Sequence, residues 1–192
     1  QEVCQPFLAE LLKEEVNNTV SFDQLFRGTT LGTRTMSAYY KAVTPEYLRL
    51  VVGPVVTELA GIKPLEMDAS KLATFTEEQL KQNVAELEPL LKRMFAKMWA
   101  STQQFPKALS ALVASARVIA ESKFPGRGQI VVVGMVFLRL IAAAIASPEL
   151  FEVPIPKDTS FEYRRSLIMI SKLVQEVAND APQAINDRTE LL

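Results

Sequence analysis

The sequence contains no histidine and a single cysteine, Cys4. Those two shortages remove most familiar catalytic centres. A Ser-His-Asp triad, a Cys-His pair and a histidine-ligated zinc site all need an imidazole. One thiol cannot build a disulfide framework within the chain, and it fits a reducing compartment. An excess of charge of one sign is also lacking: 21 Lys and Arg stand against 22 Asp and Glu, a net charge of -1. No global field points to nucleic acid or to an acidic membrane, so any charge recognition has to be local. There is no basic stripe interleaved with aromatics, and Gly126-Arg127-Gly128 is too short for a phosphate-cradling glycine loop.

Long apolar runs are scarce too, with one exception at Ile130 to Ala146. It carries Arg139 at its middle, and a charge at a bilayer centre costs roughly 2.5–3.5 kcal/mol even on a lenient scale. The run therefore reads as a buried core helix. No signal peptide is evident, and a start at Gln1 without Met reads as a piece of something longer. The sequon Asn17-Asn18-Thr19 reads as unused.

What remains is ample apolar material, 48% of 192 residues, arranged with helical period. Pro6 to Val16 is amphipathic, and residues 17–29 read as a loop. Thr29 or Thr30 caps a helix to about Val43. Thr44-Pro45-Glu46 starts another, reaching about Ala60 with a bend at Pro54. A connection follows over 61–75, containing Pro64. Thr76-Glu77-Glu78-Gln79 is a capping box for a long helix to about Trp99, with a kink expected at Pro89. Phe105-Pro106 opens a helix that ends before Phe124. The apolar helix 129–146 stops at Ser147-Pro148, and a loop holds Pro154 and Pro156. Ser160 caps a last helix to about Asn179, with Tyr163, Leu167, Ile170, Val174 and Val177 on one face. No strand pattern persists and no fixed-period repeat is found, so the expected fold is all-α, with about seven helices.

Two arginines fall in places where arginine is unfavourable. Arg27 precedes a helix N-terminus, whose positive end repels it by a few tenths to about 1 kcal/mol. Leu25 and Phe26 can anchor this loop in the core, and Gly28 permits an unusual turn or close approach to a partner. The alternative is an ordinary solvated arginine. Arg139 lies inside the most apolar helix with no acid within one turn. Its donors need partners. Carbonyls of the Arg27 loop could supply them, or Arg139 could cap a helix C-terminus elsewhere.

Leu25-Phe26-Arg27-Gly28-Thr29-Thr30-Leu31 resembles the arginine-finger motif of the Ras GTPase-activating protein (RasGAP) family, in a neurofibromin-like spelling. Phe137-Leu138-Arg139 through Ser147-Pro148 resembles the family's second signature. Leu167 to Asn179 resembles a third block, a Lys-x-x-Gln-x-x-x-Asn run at Lys172, Gln175 and Asn179. Weaker matches join them: Tyr47-Leu48 with Pro54, Glu66-Met67-Asp68 with Leu72, Asn83 with Leu87, Phe105-Pro106 and Phe124-Pro125. Ala143 stands where the family has Pro, which would let that helix continue straight.

The resemblance implies an N-terminal helix over 1–19, a RasGAP-like catalytic domain over 20–180 and a polar tail over 181–192. It implies a single helical domain whose finger loop, Phe-Leu-Arg helix and Lys172 helix line a GTPase-binding groove. The domain would activate an enzyme rather than be one. Arg27 would be the arginine finger, with Leu25, Phe26, Gly28 and Thr29 shaping its loop. Arg139 would brace that loop, and Leu138, Lys172, Gln175 and Asn179 would bind the GTPase. The implied partner is a Ras-family small GTPase in its GTP form. GTP and Mg would belong to that partner, and the domain would carry no cofactor of its own. It would be a cytoplasmic, monomeric domain without a transmembrane segment, recruited to the membrane face where Ras-type GTPases reside. Competing readings are a non-catalytic scaffold that holds a GTPase, a general helical interaction domain, and an enzyme acting on a small molecule.

Overall fold

A computed structural model describes residues 4–62, 76–157 and 159–189. Of the connection expected over 61–75, residues 63–75, with Pro64 and the Glu66-Met67-Asp68 and Leu72 matches, lie outside the described residues. Among those described, every regular element is helical. The α-helices are α1 (Cys4–Asn18), α2 (Leu31–Val43), α3 (Pro45–Val51), α4 (Gly53–Leu59), α5 (Glu77–Ala100), α6 (Lys107–Lys123), α7 (Gly128–Val133), α8 (Ala142–Ala146) and α9 (Phe161–Thr189). Short 3₁₀ turns lie at Phe22–Gln24, Thr102–Gln104 and Pro148–Phe151. Counting α3 with α4, and the run from α7 to α8 as one helix, recovers the seven expected.

The helices start where the sequence supplies caps. Thr30 Oγ1 accepts from the Thr33 amide at 3.1 Å, and Thr33 Oγ1 accepts from the Thr30 amide at 3.0 Å. Thr76 and Gln79 make the same reciprocal pair at the start of α5. Ser160 Oγ accepts from the Tyr163 amide at 3.2 Å. Each bond occupies a donor that the first helical turn otherwise leaves unpaired.

Two expectations need correction. The helix expected to bend at Pro54 breaks instead at Val52. Proline has no N–H for the carbonyl four residues earlier, and the break puts Pro54 at the second position of α4, where no donor is needed. The backbone of α9 continues past Asn179 to Thr189.

The chain forms two compact units. One comprises residues 1–44, 105–140 and 175–192. There α1 packs on α2 and α6, and α6 packs on α7. Its core holds Leu8, Leu12, Met36, Tyr40, Leu109 and Ala116. The spacing of Leu109, Leu112, Val113, Ala116 and Ala120 gives α6 one buried stripe. Lys123 Nζ donates to the carbonyls of Val16, Asn17 and Thr19 at 2.7–2.9 Å, closing the C-terminal end of α1. The other unit comprises residues 45–104 and 141–174. It buries Leu48, Val52, Val56, Leu90, Ile145 and Leu167, among others. There Tyr163 donates to the Val56 carbonyl, Ser171 donates to the Ala142 carbonyl, and Arg49 pairs with Glu152.

The apolar run from Gly128 to Ala146 is long and apolar enough to cross a membrane by length and composition. Val131, Met135 and Leu140 within it are buried in the fold. It is not uniformly α-helical. Gly134–Ile141 is π-helical, between α7 and α8. Ala143 lies inside α8 and the helix does continue through it, but the departure from straight α geometry comes one turn earlier.

Candidate functional site

The loop before α2 is built around a buried pair. Leu25 and Phe26 are 7% and 6% exposed, while Arg27, Gly28 and Thr29 are all exposed. Backbone bonds from Leu25 to Phe22 (2.9 Å) and from Arg27 to Gln24 (3.1 Å) tighten the turn. Phe26 has φ +57°, a left-handed conformation that costs a non-glycine residue about 1–3 kcal/mol. Burial of its ring offsets that cost. The unusual turn thus falls on Phe26 and not on Gly28, whose φ is ordinary. Gly28 has a different attachment: its carbonyl accepts from Thr33 Oγ1 at 2.8 Å, tying the loop to the cap of α2.

Arg27 opens onto a groove of about 220 Å³. Phe22, Asp23, Leu25 and Phe26 line it from the loop, with Ile130, Val131, Val133, Gly134, Leu138 and Arg139 from the apolar helix. Ala178 and Asn179 of α9 and Arg127 complete it. In a π-helix each amide bonds five residues back, so a turn holds more residues and successive side chains are closer in angle than on an α-helix. That geometry lets the neighbours Leu138 and Arg139 both reach the groove.

Arg139 is half-buried rather than enclosed. Partial burial pulls its pKa below the ordinary guanidinium value, while Tyr40 and Glu15 pull it up. Glu15 lies on α1 and is 9% exposed, so the acid facing Arg139 comes from a distant part of the sequence. Among the described residues Arg139 donates to no carbonyl of residues 25–29 and caps no helix C-terminus. Burial also raises the Tyr40 phenol far above its usual range.

The family model for GTPase-activator proteins of Ras-like GTPases matches residues 65–179, more than half of the chain. The chain belongs to the RasGAP family. It is 29% identical over 181 residues to a Ras GTPase-activating-like protein of Dictyostelium discoideum, covering 92% of this chain and 20% of that protein. A GTPase-activating protein of Drosophila melanogaster is 29% identical over 182 residues, covering 93% and 15%. RAS protein activator like-3 of Mus musculus is 33% identical over 160 residues, covering 82% and 15%. The chain thus spans a fifth or less of the length of these relatives.

The matched RasGAP stretch contains Arg127, Leu138, Arg139, Lys172, Gln175 and Asn179, and leaves Arg27 outside it. In this RasGAP chain the groove gathers Arg27, Leu138, Arg139 and Asn179. Gln175 is exposed one turn before Asn179 on α9 and is not a lining residue. Lys172 is exposed on the same helix but belongs to the other compact unit. Sequence reasoning missed Arg127, which lines the groove with its guanidinium 5.5 Å from the Phe22 ring. The signal was present as a lone cation between two glycines just before a helix.

Proposed function

We propose that this domain stimulates GTP hydrolysis by a Ras-like GTPase, inserting Arg27 in trans against the transferring phosphate. The observation that carries this reading is the junction at Phe26-Arg27, where a buried ring in a left-handed turn is followed by an exposed guanidinium beside a groove. In phosphoryl transfer, charge spreads over the phosphate oxygens as water attacks. A planar guanidinium donates to two oxygens at once and keeps its charge on desolvation. An arginine supplied to such a reaction is worth roughly 10³–10⁵ in rate, a figure carried over from GTPases of this type. That corresponds to about 4–7 kcal/mol of barrier.

On this reading the domain is an activator and the GTPase is the enzyme. GTP and its Mg belong to the partner, which binds in its GTP form. Leu25, Phe26, Gly28 and Thr29 set the loop. Leu138 supplies apolar contact, while Gln175, Asn179 and Lys172 bind the partner's surface. Arg139 braces the loop once the GTPase is seated, with its donors turned to the finger carbonyls. The domain acts as a monomer in the cytoplasm, at the membrane face where such GTPases reside, and Gly128–Ala146 is a groove wall rather than a membrane span. Support for that last point is Arg139 at its centre and Val131, Met135 and Leu140 buried in the fold.

The second reading is a scaffold that binds the GTPase without accelerating it; Ala143 in the second signature favours it. Single-turnover phosphate release from GTP-loaded Ras separates the two. The domain should raise the rate at least about a thousandfold at saturation, the lower end of the range for a supplied arginine. Saturable binding with an unchanged rate would establish the scaffold.

A further inference from the structure

We propose that Arg127 is a second working arginine of the groove, one that captures a carboxylate on the GTPase surface around its nucleotide and sets affinity rather than chemistry. This rests on the GTPase-activating reading given above.

The backbone around Arg127 is held before any partner arrives. Its two neighbours are glycines, and the Glu121 carboxylate accepts from both of their amides, Gly126 at 2.6 Å and Gly128 at 2.7 Å. The Arg127 amide donates to the Phe124 carbonyl at 3.1 Å. The side chain is placed as well. Its guanidinium carbon lies 5.5 Å from the centroid of Phe22, which meets Phe124 edge-on at 5.6 Å. Lys123 lies 5.5 Å over the Phe124 ring and is itself fixed by three carbonyls at the end of α1. Phe22 also opens the 3₁₀ turn that leads to Arg27. One stacked network therefore positions both loop arginines.

Charge decides what Arg127 meets. The groove has three guanidiniums, from Arg27, Arg127 and Arg139, against one carboxylate, from Asp23. The whole chain has a net charge of -1, so this positive trough is local. Arg127 is exposed and has no ion pair among the described residues. Glu121, the nearest acid in sequence, is engaged by the two glycine amides and by the charge of Arg117. An exposed guanidinium lying over an aromatic ring suits a carboxylate at the rim of a docking face. Such a charge governs encounter and affinity, and its effect is screened by salt.

The test measures binding and turnover separately, using Ras loaded with a non-hydrolysable GTP analogue for the first and with GTP for the second. Arg127→Ala should weaken Kd about tenfold, as for loss of one charged hydrogen-bond pair, and leave the saturated single-turnover rate unchanged. Affinity of the variant should respond less to added salt than that of the parent. Arg127→Lys should recover part of the affinity, since it keeps the charge without the fork. Phe22→Leu should weaken binding about two- to fivefold by removing the platform. An Arg127→Ala protein that melts like the parent and binds as tightly would overturn the proposal. So would a fall in the saturated rate at unchanged Kd, which would put Arg127 on the phosphates. Arg27→Ala, run alongside, is read independently. If that variant still stimulates fully while Arg127→Ala binds weakly, the finger reading fails and the Arg127 assignment stands.

Discussion

Phe26 and Arg27 are consecutive residues in opposite environments: Phe26 is buried at φ +57°, and Arg27 is exposed and lines the groove. The strain and the exposure belong together. A left-handed residue reverses the chain direction within one step, so a buried anchor can be followed at once by a presented side chain. The ring keeps the turn from relaxing, since release would expose it to water.

Replacing Phe26 separates the two contributions. Both Phe26→Ala and Phe26→Gly lose the buried ring, which costs about 3–5 kcal/mol. Glycine is at ease at positive φ and alanine is not, so Phe26→Gly should be the more stable by about 1 kcal/mol. That order is the reverse of the usual one in a helix interior. Urea denaturation of the pair measures it. Phe26→Gly should also stimulate less at saturation, because a freer loop aims Arg27 less well.

The Glu121 staple predicts an acid-sensitive loop. The amides of Gly126 and Gly128 hold its carboxyl below the ordinary value of 4.5. A carboxylate with a lowered folded pKa adds stability that is complete above the unfolded value. That stability is lost as pH falls through the folded value. Melting temperature should therefore decline below about pH 4.5 more steeply in the parent than in Glu121→Gln, and the variant should melt lower at neutral pH. Gly128→Ala should act similarly at any pH. An added Cβ would stand 2.7 Å from Glu121 Oε2 and 3.2 Å from the Arg117 carbonyl oxygen, so one of them must move.

Arg139 feels the charge of Glu15 and the phenol of Tyr40, and among the described residues it donates no hydrogen bond to residues 25–29. Arg139→Ala should lower the melting temperature modestly, since the guanidinium is part-solvated and forms no close ion pair with Glu15. Adding Glu15→Gln should restore part of the loss, since no buried carboxylate is then left alone. Thermal melting of the single and double variants checks this. The bracing proposal adds that Arg139→Ala lowers saturated turnover on Ras, and that Glu15→Gln does not rescue that defect.

Tyr40 is 1% exposed, and its hydroxyl has no hydrogen-bond partner among the described residues. A buried unsatisfied hydroxyl costs about 1–3 kcal/mol, part of which Tyr40→Phe should recover. The variant should melt at or above the parent temperature. A clear drop would mean that the hydroxyl has a role in the fold.

Much of this architecture is readable from local chemistry. Thr30, Thr76 and Ser160 announce helix starts because a capping hydroxyl acts within three residues. Leu25 and Phe26 mark themselves as anchors by being apolar in a polar loop. What the sequence hides is non-local or conformational. The facing of Glu15 to Arg139 joins residues far apart in the chain. The positive φ of Phe26 contradicts its residue type, and the expected candidate, Gly28, sits in an ordinary conformation. The π-helical stretch leaves no periodic trace in a run where nearly every residue is apolar. Arg127 reads as a solvated loop charge until Phe22, distant in sequence, is seen beneath it.

The most direct measurement is single-turnover phosphate release from GTP-loaded Ras at saturating concentrations of this domain and of its Arg27→Ala form. The parent should accelerate release, and the variant should lose at least about a thousandfold of that acceleration, with Kd for the analogue-loaded GTPase changed less than about tenfold. Phosphate release as fast with the Arg27→Ala domain as with the parent would rule out Arg27 as the inserted arginine.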